Sequence, residues 1–539
     1  MFNSDFDVMR RYISILYAVL LAAGCDLEEH PDYFVDRNRY FSNEAQCRSA
    51  LDAVYIPLEA IYCYDMAVAT EVCTDTGLNW VTTTDACLDV SPAFPRFGAT
   101  VWEKGYLGVM YCNYAIEGIK KAPVDEWVKR GLLAEGYIMR GLYYHILTSF
   151  FGDVPWYEDD VDSKQVQREI QKLPRTDKAL VRQYSIERIM EHIDALPAVR
   201  AVEVDGYRAG KALGYMLIGK MAMWNASAAE DDANADPWWH TASSALEQVH
   251  RIYGENILSY PVEDNIMWSD KNTPESIFEI QHTYSAGGLN YTSNIAGLYQ
   301  PTHKTGTDLF DEYIYKSEGK SDTLSVKSEF LGDECAAWNQ MRPTTYFCRT
   351  LQTYYGKDKR AKYNLAWDHE GQPFPSAYAK NPDGSLKAPY RAWVGKKLWC
   401  PGMKITYDHN NYKIFRYADA VLMLSECYAE LEKYDKAKEL LNSVKARAGI
   451  GDYTGGNEGL LEELRAERAR ELFGECHRKF DLVRWGIWME AVEKHGELSG
   501  RPMLKENIRP CHEYYPIPDI QVGLSGGMLN NDEYRRYGL

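Results

Sequence analysis

The chain has 539 residues, a formal net charge of −18 and a pI of about 5.2. An acidic surface of that strength repels phosphate backbones, which argues against nucleic acid as a ligand. Hydrophobic residues make up 45% and charged residues 26%, a composition that excludes a disordered chain and predicts a packed core.

The first element is a targeting segment. Met9-Arg10-Arg11 leads into the apolar run YISILYAVLLAA, followed by Gly24-Cys25. A basic start, about a dozen apolar residues and small residues after them describe a secretory signal, and the run is shorter than the roughly 20 residues of a bilayer span. Asp5 and Asp7 fit poorly in a basic signal end, so Met9 is the expected translation start. Ala23-Gly24-Cys25 resembles a lipobox whose usual Leu stands one place early, at Leu21. Cys25 is therefore the expected lipid attachment site. Each buried acyl methylene contributes about 0.8 kcal/mol, so several chains anchor firmly. Residues 1–24 are read as signal peptide. The mature chain is expected to form one compact domain with a helical region at 25–230, a loop-rich region at 231–403, and helices with an ordered tail at 404–539.

Helical periodicity begins near Asn43, with Ser42 or Asn43 as cap, and places Ala50, Val54, Leu58 and Ile61 on one face. From about Thr70 to Gly98 the pattern breaks into a long excursion rich in Thr, Asp and Pro, of the kind that is usually functional or disordered. Helices resume in VWEKGYLGVMYCNYAIEGIKKA and in LLAEGYIMRGLYYHILTSFFGDVP, where Leu133, Tyr137, Arg140, Tyr144 and Leu147 recur every three or four residues. SIERIMEHIDALP follows, then AGKALGYMLIGKMAMWNAS, which is apolar almost all round and predicted to be buried. From Asp231 to Met403 periodicity fades, apart from a strand predicted at Ser276–Gln281. It returns at Tyr412 as two helices joined near Lys433–Asp435. There Leu431, Tyr434 and Ala437 match the turn of a tetratricopeptide repeat. A last amphipathic helix is broken at Gly474, and YYPIPDIQV opens a Pro-punctuated tail.

Setting Cys25 aside leaves an odd number of the 12 cysteines, none in C-x-x-C or zinc-type spacing, so no metal site is expected. Gly210-Lys211 lacks the rest of a P-loop, and there is no His-Glu-x-x-His, so no cofactor is expected either.

In this order the segments resemble the SusD/RagB family. The likeness starts at CDLEEHP, whose Asp26, Glu28 and Glu29 also resemble the surface-export signal of Bacteroidetes lipoproteins. LLAEGYIMRGLYYHILTSFFGDVP resembles the family's signature helix, KDKR (357–360) its Asp-x-Arg spot, and YKIFRYADAVLMLSECYAEL its Arg-Tyr-Ala-Glu helix with Asp419 for Glu. ERARELFGECHRKFDLVRWG resembles its Glu-x-x-x-Glu-x-x-x-Glu-Gly-x-Arg segment and departs from it at Cys476, where the family has Gly. What the resemblance implies is an all-α superhelix of tetratricopeptide-like helix pairs with a loop-rich ligand-binding face and a few short strands. It also implies a non-catalytic outer-membrane lipoprotein facing the cell exterior, a lid over a SusC-like TonB-dependent barrel that takes oligosaccharide or peptide.

The motif residues Arg416, Asp419, Glu426, Asp481, Arg484 and Trp485 are expected to form pairs and cap helices rather than touch ligand. Binding residues belong in the irregular segments, where the backbone presents them on a rim. Those segments offer Trp80, Asp85, Tyr284, Tyr291, Tyr299 and Trp338, with Asn290 and Arg342 to reach sugar hydroxyls. An aromatic in a long loop also often just pins the loop. Two other classes compete: a glycoside hydrolase, which needs two carboxylates flanking one bond, and a repeat-scaffold adaptor. The segments that choose the ligand carry no readable pattern, so glycan, glycopeptide and peptide stay open.

Overall fold

A computed structural model describes residues 40–79, 85–197, 208–254, 266–283, 292–299, 303–304, 334–335, 340–352, 357–366, 368–369, 372–373, 392–400 and 407–539. It is mostly helical, with a few short strands.

The first helical stretch is two helices, α1 (Glu44–Ala53) and α2 (Ile56–Ile61). Asn43 caps α1 by accepting from the Gln46 amide at 3.0 Å, and Gln46 Oε1 accepts from the Ser42 amide at 2.9 Å. Pro57 explains the break: without an N–H it is tolerated only in the first turn of a new helix. Ala50, Val54, Leu58 and Ile61 all face the core as the spacing predicts.

α3 (Phe97–Lys121) and α4 (Glu126–Phe151) are joined by a short connection containing Pro123, which forces them into an antiparallel hairpin. They approach closely because Gly108 has no Cβ: one placed there would sit 2.2 Å from Tyr143 Cζ. Tyr143 is fully buried and its hydroxyl donates to the Val54 carbonyl at 2.5 Å, tying α4 to α1. Tyr144, its neighbour in the aromatic pair, donates to the Tyr157 carbonyl at 2.8 Å. Asp177 caps α5 (Lys178–His192). The apolar helix α6 (Lys211–Ser227) is buried along nearly its whole length and packs on α7 (Asp232–Tyr253), capped by Asp231.

The strand β2 (Ser276–Ile280) forms where alternation predicts it, but its partner was not legible. It pairs antiparallel with β4 (Tyr412–Arg416), a segment whose periodicity reads as the onset of a helix. Tyr, Ile and Phe suit a pleated strand, and β2 supplies the ladder that decides between the two states. Helix α8 (Tyr417–Glu430) starts only after it and turns into α9 (Tyr434–Arg447). The Ser425 hydroxyl donates to the Ala437 carbonyl at 2.6 Å across the hairpin. Then α10 (Leu460–Glu471), α11 (Arg478–Arg484) and α12 (Trp488–His495) follow, with Gly474 at φ +78 in the predicted break.

Charged side chains join these elements inside the core. Arg416 donates to Glu275 (2.8 Å), Glu471 (2.7 Å) and Glu475 (2.7 Å). Arg360 of the KDKR run pairs with Asp358, Glu467 and Glu471. Asp419 meets Lys220 and Arg468, while Glu426 accepts from Arg484 and from the Trp485 indole. Against desolvation, the opposite charges at this range hold Glu467, Glu471 and Glu475 in their ionised form: Glu467 is pulled down to about 2, and Glu471 and Glu475 also lie below the usual range. Each of these motif residues thus has a partner inside the protein: Glu426, Asp481, Arg484 and Trp485 meet one another, while Arg416 and Asp419 pair with residues outside that set and the Arg416 side chain caps no helix.

Candidate ligand-binding site

The excursion after α2 begins with a short helix, Tyr64–Ala67, that widens into a π-helical turn at Val68–Val72. It leads to β1 (Gly77–Asn79), which pairs antiparallel with β3 (Met341–Pro343). Gly77 is required there, since a Cβ would lie 2.4 Å from the Glu71 carbonyl oxygen. Asn79 stands opposite Met341, so the backbone entering residue 80 and the backbone leaving residue 339 are neighbours.

Other flanking residues are tied to the same place. The Tyr64 amide donates to Asn294 Oδ1 at 2.6 Å, and the Tyr64 hydroxyl donates to Gln340 Oε1. The Gln340 amide donates to the Leu298 carbonyl at 3.0 Å. Ser293 and Asp408 exchange backbone hydrogen bonds of 2.8 Å, and the His282 amide donates to Asn411 Oδ1 at 2.9 Å. The roots of the segments at 80–84, 284–291, 300–302, 336–339 and 401–406 therefore converge.

Beside these roots lies a cleft of about 430 Å³, within the roughly 300–1,000 Å³ typical of ligand pockets. Its walls include Ile56, Glu59, Tyr62 and Cys63 from α2 and its end, Lys104 and Leu107 from α3, and His282, Asn294 and Tyr407 from the roots. Tyr62 is held by stacking on Tyr412, with ring centres 5.4 Å apart. Burial pushes the Cys63 thiol up to about 11, so it stays protonated and unreactive at neutral pH. The walls offer one carboxylate, one ammonium, an amide and aromatic edges, a set suited to hydrogen bonding and stacking.

The sequence-predicted residues fall in three groups. Cys25, Trp80, Tyr284, Asn290, Tyr291 and Trp338 lie outside the described residues. Asp85 is partly exposed at the start of α3, where its carboxylate accepts from the Phe97 amide (3.3 Å) and the Tyr515 hydroxyl (3.0 Å). Tyr299 and Arg342 lie inward: Tyr299 is fully buried and donates to the Gly474 carbonyl at 3.0 Å, and the Arg342 guanidinium stacks over the Trp393 ring. Tyr64, Asn294, Gln340 and the cleft walls were missed. Asn294 and Gln340 sit inside the two Tyr- and Trp-rich segments, and that density was the only signal available.

The run Gly523–Gly527 has the Gly-x-Ser-x-Gly spacing of a nucleophile elbow, a match overlooked in the sequence. Ser525 is only 2% exposed, donates to the Val522 carbonyl at 2.7 Å and accepts from the Leu529 amide at 3.0 Å. It caps a six-residue helix, whereas an elbow follows a strand and presents its hydroxyl. Among the described residues no group of three or more His, Cys, Asp or Glu is placed to hold a metal, and no helix is long and apolar enough to cross a membrane.

Comparison with known proteins agrees along the chain. Residues 265–534 match the model described as the SusD family, and residues 43–185 match one described as starch-binding associating with outer membrane. SusD-like protein P25 of Formosa agariphila is 22% identical, over 97% of this chain and 98% of its own. A SusD homolog from Bacteroides thetaiotaomicron superposes with a TM-score of 0.72 at 18% identity, over 92% of this chain and 97% of that one. A laminarin binding SusD-like protein superposes with a TM-score of 0.64 at 18% identity, over 90% and 98%. The two structural likenesses show a shared fold.

Proposed function

This chain belongs to the SusD family, and from that premise we propose that it is a non-catalytic glycan-binding lipoprotein of the outer membrane. Cys25 carries the lipid. Glycan is gripped by Trp80, Tyr284, Asn290, Tyr291 and Trp338, whose segments spring from the converging roots beside the cleft, while Asp85, Tyr299 and Arg342 support that face from within. The captured glycan passes to a SusC-like TonB-dependent barrel, which does the transport.

The observation that carries this reading is the convergence itself: Asn79 against Met341, and Tyr64 joined to both Asn294 and Gln340. Trp80 directly follows Asn79 and Trp338 lies two residues before Gln340, so both aromatics are attached to the chain at the same end of the β1–β3 ribbon. Flat rings meet the C–H face of a sugar, and amides meet its edge. The laminarin-binding neighbour and the starch-binding description of the matched model favour glycan over peptide.

The test is native affinity electrophoresis of the full chain in gels holding laminarin, starch, xylan or mannan. Retardation in at least one gel is expected. Trp80→Ala and Trp338→Ala should each weaken it by about 1–3 kcal/mol, by analogy with loss of a stacking platform. No retardation in any gel, or new reducing ends on incubation with the polysaccharide, would overturn the reading.

A further inference from the structure

A second cavity, of about 570 Å³, shares no residue with the cleft. It stands at the other end of the β1–β3 ribbon. Asn79 pairs with Met341 at the end that feeds Trp80 and Trp338, and Gly77 pairs with Pro343 at the opposite end. Beyond that second end the Thr344 amide donates to the Thr76 carbonyl at 2.8 Å, and the next residues outward in each direction include Asp75 and Tyr346, which both line the cavity.

The site is built on a buried floor. Arg478 grips Asp75 with two parallel hydrogen bonds of 2.8 and 2.6 Å, and these side chains are only 9% and 5% exposed. Such a two-pronged pair fixes both groups and leaves the remaining lone pairs and N–H groups in set directions. On one wall the Tyr346 ring is stacked on His495, with centroids 3.5 Å apart and planes at 13°, so the ring is locked while its outer part stays half-exposed.

Around the mouth stand Glu462 and Glu490 with Arg465 and Lys494, and none of the four has an ion-pair partner among the described residues. Across the whole lining, four carboxylates (Asp75, Glu462, Glu463, Glu490) face four cations (Arg465, Arg470, Arg478, Lys494). In a protein with a net charge of −18, this is a patch of balanced charge. It favours neither an anion nor a cation, but it is rich in strong donors and acceptors.

We propose that this cavity is a second saccharide site, taking one or two rings of a neutral glycan. Carboxylates accept from sugar hydroxyls, guanidinium and ammonium groups donate to them, and the fixed Tyr346 ring meets a pyranose face. A peptide taken up as an added strand would need a free strand edge, and the lining here comes from helices and turns. With one site at each end of a three-residue ribbon, a polysaccharide engaged at both gains avidity that neither site gives alone.

The ligand class rests on the glycan reading above; the cavity's capacity to bind does not depend on the segments around Trp80. Crystals of the full chain soaked in high concentrations of glucose, galactose, mannose and xylose, and separately of tri-alanine, test the cavity directly. A pyranose against Tyr346, with hydroxyls on Glu462, Glu490, Arg465 or Lys494, is the expected result. Only water or only peptide in the cavity overturns the proposal. Affinity gels then test its use: Tyr346→Ala, placed in the Trp80→Ala/Trp338→Ala background, should remove the remaining retardation, about five- to a hundredfold in affinity. Glu462→Gln, an exposed change that leaves the fold alone, should weaken it in the same direction. If the Trp variants lose retardation and Tyr346→Ala and Glu462→Gln change nothing in any background, the second site is refuted while the first stands. If the Trp variants bind normally and the Tyr346 variant does not, the first reading fails and the second site stands.

Discussion

Arg416→Ala puts the physical account of the core under strain at its centre. Arg416 is 1% exposed and makes five hydrogen bonds: two to Glu475 (2.7 and 2.9 Å), one to Glu275 (2.8 Å), and one each to the Glu471 carboxylate and carbonyl (both 2.7 Å). Truncation leaves three buried carboxylates short of one cation. Each keeps another: Glu275 and Glu471 retain Arg447, and Glu475 retains Lys397. Removing one partner of a buried pair costs about 3–5 kcal/mol, and the surviving cations do not raise that figure. Against a typical stability of about 5–15 kcal/mol this is a large fraction. The assay is urea denaturation, read as a lowered midpoint at unchanged slope. Arg48→Ala serves as control: its pair with Glu44 is 43% and 45% exposed, so it should change stability by roughly 0.5 kcal/mol or less.

The pH dependence gives a second handle on the same variant. Glu471 and Glu475, two of the three carboxylates held by Arg416, have folded pKa values below the ordinary glutamate value of about 4.3. The stability they contribute is fully present above that unfolded value and is lost as pH falls through it toward the folded values. As these groups protonate, fewer bare carboxylates await Arg416, so the gap between wild type and Arg416→Ala should narrow between about pH 7 and about pH 3. A loss below about 1 kcal/mol at neutral pH, or a gap that widens in acid, would refute the view that paired buried charge locks β2, β4 and α10 together.

Three further outcomes follow from particular residues. Asp408, at the roots, is pushed up to about 6 by burial, so its ionisation opposes folding progressively from about pH 4 to about pH 6 and by a constant amount above; Asp408→Asn should stabilise by roughly 1–3 kcal/mol at neutral pH in urea melts, with the gain gone near pH 4. Asp85→Ala removes the acceptor for the Phe97 amide and the Tyr515 hydroxyl and should lower stability by about 1–2 kcal/mol; a parallel loss of glycan retardation in the folded variant would place Asp85 against ligand as well. Cys25→Ser should abolish incorporation of labelled palmitate and release the protein from membranes, and palmitate labelling of that variant would show that the lipid sits elsewhere.

Local pattern settled what local physics settles. The helices of α3, α4, α6, α8 and α9, the break at Gly474 and the strand at Ser276 follow from periodicity and stop signals that act within a few residues. That Arg416, Asp419, Glu426 and Arg484 pair inside the protein is legible from the motifs, because a buried charge has to find a partner, but which partners they take is not. Pro57 was visible in the sequence, yet the continuous apolar face on either side of it hid the break between α1 and α2. The strand at Tyr412 could not be read locally, because its partner lies some 130 residues earlier and only the ladder with β2 makes it a strand. The same holds for the sites. Aromatic density marked the segments around Trp80, Tyr291 and Trp338, but that Asn79, Asn294 and Gln340 meet at Tyr64, or that Asp75 and Tyr346 share a cavity with Arg478, depends on contacts spanning hundreds of residues. Such contacts form only when the whole chain closes, and no window of sequence holds both partners.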